Sequence, residues 1–473
     1  MSSVDRPSDV ATRVERDFLG EMLLPADALH GIHTARALEN FPLTGSPPHP
    51  ALVLALAQVK KACARANQET GFLAPDVAAA IIAACDEIIA GDLGQAIVVD
   101  ALQGGAGTSA NMNVNEVLAN RAEELLGGTR GRYALVHPID HVNLHQSTND
   151  VYPTALKVAA ITLLRRLEPA VASLQQAFQN KEQAFADVLK IGRTQLQDAC
   201  PMAFGAEFSA WAEALGRDRW RIFKCEERLR VVNLGGTAIG TGLNAPRRYI
   251  FLVVDKLREE TGLGLSRAEN LVDATQNVDS FVEVAGILKA HAVNLYKISS
   301  DLRLLASGPR AGLGELRLPA VQAGSSLMPG KVNPVICEAV TQAAMQAMAN
   351  DAAVTMAAQS GQLELNAFLP LVAHALLGTL SLLEAANRIF RERCVDGIEV
   401  DREACAAHVE RSWATVAALA PLLGYERAAE IATSARETGK SVRELTLERG
   451  WLDQDELDRA LSARAMTALG FRR

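Results

Sequence analysis

The stretch GSSLMPGKVNP, Gly324 to Pro334, sets two adjacent serines, a lysine and an asparagine among two glycines and two prolines. Glycine opens backbone conformations that other residues avoid, and proline closes them. Taken plainly, such a segment is a Pro/Gly connector. A connector, however, has no turn role for a lysine and two hydroxyls. Lys331 and Asn333 are suited to holding a carboxylate, and Ser325 and Ser326 ride on a glycine-bracketed stretch suited to motion.

On both sides of it the chain has helical period. Downstream, VICEAVTQAAMQAMANDAAVTMAA is rich in alanine and methionine and carries no interior proline or glycine. Upstream, Phe281, Ala285, Leu288, Ala292 and Leu295 form one apolar stripe. Leu156, Ala160, Leu163, Leu167, Val171, Leu174 and Phe178 form another, with Pro169 predicting a kink or break inside it. Helices apolar on several faces belong inside a larger assembly, so these stripes predict a long-helix bundle that other subunits complete. LAPDVAAAIIAACDEIIAG reads as one helix, with Pro75 near its start and Gly91 at its end. After about Asp401 the charges crowd and the helices shorten. The expected organisation is a mixed, mostly helical domain over 1–145, a central bundle over 146–400 and a small helical domain over 401–473.

The totals agree with a mainly α protein: 49% hydrophobic but only 5% aromatic residues in 473, with alanine and leucine abundant. A net charge of −8 without a basic block gives no support for nucleic-acid binding. Seven scattered cysteines without CxxC pairs suit reduced thiols and the cytoplasm. The first residues, MSSVDRPSDVATRVERD, hold no secretory h-region, and their first dozen read as a loose tail. No membrane span is expected, since LVLALAQVKKA is cut short by Lys60 and Lys61.

Three further polar islands interrupt the apolar pattern. GGAGTSANMN, with Thr108, combines close backbone approach with a helix start expected at about Asn113, a combination that attracts anions but also makes ordinary turns. HQSTND offers Ser147, Thr148 and Asn149 before a helix with Pro153 in its first turn, and any of these residues also serves as an N-cap. GRTQLQDACP, with Thr194 and Gln195, reads as a polar loop between apolar helices. No metal site is expected. His30 and His33 lack further ligands, and Pro138 interrupts the run His137, His141, His145. Neither a Walker loop nor a dinucleotide fingerprint is present.

Together the four islands resemble the aspartase/fumarase superfamily, from about Arg13 to Gly450. GSSLMPGKVNP is similar to its signature GSSxMPxKxNP, and GGAGTSANMNVNEV, HQSTND and GRTQLQDA are similar to its three other active-site segments. Gln195, where fumarases usually have histidine, and GIHTARALENF, with His33, resemble the aspartase branch. Gly330 and Cys337–Glu338 fit either branch, and Leu29–His30 departs from the aromatic pair common in both.

The resemblance implies three largely helical domains and a homotetramer with a twenty-helix core and active sites shared by three subunits. It implies reversible elimination of ammonia from L-aspartate to give fumarate, without a cofactor. The alternatives are malate/fumarate hydration by a class II fumarase and a non-catalytic scaffold. Removing a proton next to a carboxylate builds an enediolate, which needs hydrogen-bond donors aimed at its oxygens. On that implied mechanism Ser325 is the base. Thr108, Ser147, Thr148 and Ser326 bind the β-carboxylate; Thr194, Lys331 and Asn333 hold the α-carboxylate; Asn149 and Gln195 contact the amine.

Overall fold

The computed structural model describes residues 11–468 and 470. The expected N-terminal tail falls almost wholly outside them, and Thr12 already opens a strand, Thr12–Asp17, paired antiparallel with Gly20–Pro25. The described residues are mainly α-helical. Five helices have 25 residues or more: Thr148–Ala184, Phe204–Leu229, Asp279–Leu305, Val335–Gln359 and Leu369–Arg393. All sheets among the described residues are two-stranded. The first long helix runs through Pro169 without a break. Pro153 lies in its second turn rather than its first.

The chain divides into two compact units, each discontinuous in sequence. The first comprises 1–168, 221–290 and 346–383. In it, helix Pro50–Glu69 begins at a proline whose missing N–H costs nothing at that position, and His49 caps it. Its buried face, with Leu52, Leu56, Val59 and Cys63, packs against helices Pro75–Ala90 and Arg247–Thr261. The helix expected over LAPDVAAAIIAACDEIIAG is the observed Pro75–Ala90, stopped at Gly91, whose φ of +97° is left-handed. Helix Ile32–Asn40 has only Gly31 as its cap, and a buried carboxylate does that work instead. Glu116 accepts the N–H groups of Gly31, His33 and Thr34 at 2.8–3.1 Å and the Thr34 hydroxyl at 2.6 Å.

The second unit comprises 169–220, 291–345 and 384–473. Phe178 lies at its centre, with ring centroids 5.9–6.0 Å from Phe208, Trp211 and Phe390, so three long helices meet on one ring. Truncating such a ring costs about 3–5 kcal/mol. Polar pairs also join the helices: His291 Nδ1 donates to Asp218 Oδ2 (3.0 Å) and its Nε2 accepts from Asn387 Nδ2 (2.9 Å), and both His291 and Asp218 are fully buried. The C-terminal segment closes its own small core around Leu419, Ile431, Leu445 and Leu457.

One expectation needs amending. Helix Leu369–Arg393 is, by length and composition, apolar enough to cross a membrane. Its inner face is buried through Val372, Leu376, Leu380 and Leu383 and carries buried Thr379 and Asn387, which is the pattern of a core helix.

Candidate active site

In the first unit two helix N-termini meet. Helix Thr108–Leu125 starts five residues earlier than the sequence suggested, because three consecutive left-handed residues, Gly105, Ala106 and Gly107, turn the chain directly into it. Gly107 lies flat against the ring of Tyr152, leaving no room for a Cβ. That contact seats it on helix Thr148–Ala184. The second helix is capped by Ser147, whose Oγ accepts from Asn149 N at 3.2 Å, while Asp150 accepts from Ser147 N at 3.0 Å. Asp150 is fully buried and also takes the N–H groups of Gly235 and Thr237, each at 3.0 Å. Burial pushes its carboxyl up to about 6, against the pull of these three donors.

The hydroxyls here are not equivalent. Thr108 donates its hydrogen to Gly105 O at 2.7 Å, so in this conformation it is spent on its own loop. Thr148 instead accepts, from Asn111 Nδ2 at 3.1 Å, which leaves its hydrogen for something else. Asn149 donates through Nδ2 to Ala238 O at 2.8 Å, which leaves its Oδ1, an acceptor.

In the second unit GRTQLQDACP is not a loop. Leu189–Thr194 and Gln197–Ala203 form an antiparallel hairpin with Gln195 and Leu196 as its two-residue turn. Both turn residues take positive φ, +55° and +61°, as such tight turns require. Neither is glycine or asparagine, so each carries a strain of about 1 kcal/mol or more.

The hairpin is clamped just behind the tip. Arg193 reaches Glu315 with both terminal nitrogens, at 2.9 and 2.6 Å. His408 meets the same carboxylate at 2.9 Å, and Ser412 donates to Asp198 on the returning strand at 2.7 Å. Glu315 is fully buried. Burial pushes its carboxyl up, but the bonds from Arg193 and His408 and the charge of Lys190 outweigh that and hold it below the usual range.

The signature segment is a loop with a closed neck. Gly324 N donates to Lys331 O at 2.8 Å, and Asn333 Nδ2 donates to Gly324 O at 2.6 Å. A Cβ at Gly324 would lie 2.6 Å from Lys331 O, so glycine here serves close packing; Gly330, at φ +81°, is the conformationally open one. Within the loop, Ser325 Oγ accepts two backbone N–H groups, Leu327 at 3.1 Å and Met328 at 2.9 Å. Ser326 and Lys331 are exposed.

The structure thus brings Thr108, Ser147, Thr148 and Asn149 together in the first unit. In the second it places Thr194 and Gln195 on a hairpin tip and Ser325, Ser326, Lys331 and Asn333 on the loop. No hydrogen bond joins tip to loop among the described residues. Sequence reasoning missed Asn111, Asn143 and Lys60 behind Thr148, and Glu315 behind the hairpin. Helical phase carried a signal for Lys60: it follows Leu56 by four residues and Val53 by seven, on the apolar face.

The three spaced histidines go separate ways. His137 Nδ1 accepts from Ile139 and Asp140 N, His141 Nδ1 from His137 N, and His145 pairs with Asn67. Among the described residues no group of three or more histidine, cysteine or acidic side chains is placed to hold a metal ion.

Residues 20–349 match the family described as Lyase, and residues 416–468 the one described as Fumarase C C-terminus. The aspartate ammonia-lyase of a Bacillus species is 46% identical over 458 residues, covering 97% of this chain and 98% of that protein. Among solved structures, a fumarate lyase:delta crystallin from Brucella melitensis has a TM-score of 0.94 at 51% identity, over 97% of this chain and all of that one. A class II fumarase from Schistosoma mansoni has a TM-score of 0.90 at 35% identity, over 96% and 98%.

Proposed function

This chain belongs to the lyase family of the aspartase/fumarase superfamily, and from that premise we propose that it removes ammonia reversibly from L-aspartate to give fumarate. It is a carbon–nitrogen lyase. The reading over fumarate hydration is supported by the aspartate ammonia-lyase likeness across nearly the whole of both chains, against the lower identity to the class II fumarase.

The observation that carries the chemistry is Ser325. A serine hydroxyl is a poor base unless its anion is stabilised. Two backbone N–H groups already point at Ser325 Oγ, which favours the alkoxide as an oxyanion hole does. The alkoxide takes a proton from the carbon beside the β-carboxylate, and the C–H pair flows into that carboxylate to give the enediolate. The electrons then return to form the carbon–carbon double bond and the amine leaves the α-carbon as ammonia.

Thr148 is the leading donor to the enediolate, since its hydrogen is uncommitted. Ser147 and Ser326 assist, and Thr108 joins once it releases Gly105 O. Lys331 supplies charge to the α-carboxylate, with Thr194 and the second N–H of Asn333 giving direction. Asn149 Oδ1 and Gln195 accept from the ammonium. Closure of the 324–333 loop brings base to substrate and excludes water.

The proposal includes a homotetramer whose active sites draw on three subunits. Exposed Trp220, Phe223, Met345 and Met356 on the long helices support such packing. A cytoplasmic location suits seven cysteines that are all free thiols.

The test is direct. Purified protein mixed with L-aspartate, then with malate, is followed by the ultraviolet absorbance of fumarate. Fumarate from aspartate alone is expected; fumarate from malate alone replaces this reading with a hydratase.

A further inference from the structure

Lys60 lies on the buried face of helix Pro50–Glu69 with none of its surface exposed. It forms no ion pair among the described residues. Its ammonium donates instead to two neutral amide oxygens, Asn143 Oδ1 at 2.9 Å and Gln146 Oε1 at 2.8 Å. Burial pushes it down to about 8, with Asp150, Cys63 and Cys85 pulling the other way. At neutral pH it remains mostly a cation, and an unpaired buried cation is costly.

An ammonium can only donate, and that fixes the direction of every bond beyond it. Asn143 must turn its oxygen toward Lys60. Whatever else meets that oxygen must be a donor, and the two groups that do are Asn111 Nδ2 at 3.2 Å and Asn115 Nδ2 at 3.1 Å. The same Asn111 nitrogen reaches Thr148 Oγ1 at 3.1 Å, so Thr148 must accept there. Its own hydrogen is thereby left for an incoming anion.

We propose that Lys60 is a positioning residue that orients Thr148, through Asn143 and Asn111, and supplies a buried positive charge against which the dianionic intermediate forms. The proposal rests on the function read above. It assigns a role to four side chains, of which only Thr148 touches substrate. A bundle core that merely needed filling would take a methionine in place of Lys60 and apolar residues in place of the asparagines.

The deciding variant is Asn143→Asp. It keeps an acceptor facing Lys60, Asn111 and Asn115 and loses the Nδ2 bond to Gln146 O at 3.2 Å, but it gives the ammonium a counter-charge and places an anion behind Thr148. The new ion pair with Lys60 should offset the lost bond, leaving the folded protein about as heat-stable as the wild type. kcat for aspartate should fall at least about tenfold, short of the hundred- to thousandfold that deleting a direct donor costs. KM should change less than kcat. Lys60→Met is the companion variant, with the same expected loss of kcat in protein of wild-type stability. An unchanged kcat in Asn143→Asp overturns the proposal, as does a loss that merely tracks a fallen melting temperature. Wild-type protein inert toward aspartate would instead sink the function on which the proposal rests, and is read in the same assay.

Discussion

Thr148 is buried, with its oxygen held by Asn111 and that amide held in turn by Asn143. Gln195, Ser326 and Lys331 are exposed, and among the described residues the loop that carries two of them is fastened by hydrogen bonds only at its neck. The first group sits in a low-dielectric frame of fixed dipoles, the second on a hairpin tip and a loop. The contrast follows the chemistry. Donors facing a growing negative charge work best when they need no reorganisation, and burial strengthens them. A base and an anion clamp must admit substrate before they engage it.

Five substitutions test that division. Ser325→Ala should lower kcat by about 10²- to 10⁴-fold, the usual contribution of a general base, with the oligomer unchanged by size-exclusion chromatography. Near-normal turnover would remove serine from the base role. Thr148→Val keeps the branched shape and deletes the hydroxyl, and kcat should fall about 10²- to 10³-fold. Thr108→Val should cost less, because that hydroxyl is already committed to Gly105 O. Equal losses would mean that the committed and uncommitted hydroxyls do not differ in use.

Lys331→Ala should mainly raise KM, by about ten- to a hundredfold, as loss of a hydrogen bond to a charged group does. A fall in kcat with KM intact would move the lysine from clamp to chemistry. The smallest effect concerns Glu315. Its folded carboxyl titrates below its ordinary value of 4.5, so its contribution to stability is complete above that value and is lost as pH falls through the folded one. Glu315→Gln should lower the melting temperature at neutral pH and flatten its decline as pH falls below 4.5. A variant that melts in parallel with the wild type as pH falls below 4.5 would show the clamp to be inert.

Much of this was legible beforehand because helical period and hydroxyl-rich islands are strong local signals. The stripes through Leu156 and Phe281 are the long helices, and the helix ending at Gly91 ends there. The hairpin was not legible, since its turn, Gln195–Leu196, lacks the Asn-Gly or Gly residues that announce positive φ. The helix start at Thr108 was hidden by three glycines that read as a longer loop. Asn111, Asn143 and Glu315 were invisible for another reason. Their significance lies in partners 28 to 122 residues away, as in Asn115 with Asn143 and Arg193 with Glu315, and no local pattern encodes such pairings.

The neck at Gly324 makes the six residues from Ser325 to Gly330 a cassette. Its frame is fastened by groups outside the enclosed stretch: the Gly324 backbone, the Lys331 carbonyl and the Asn333 amide. Exchanging the interior sequence while keeping those three fasteners should graft new reach or a new nucleophile onto an unaltered scaffold, which marks this span as the natural point of entry for redesigning the enzyme.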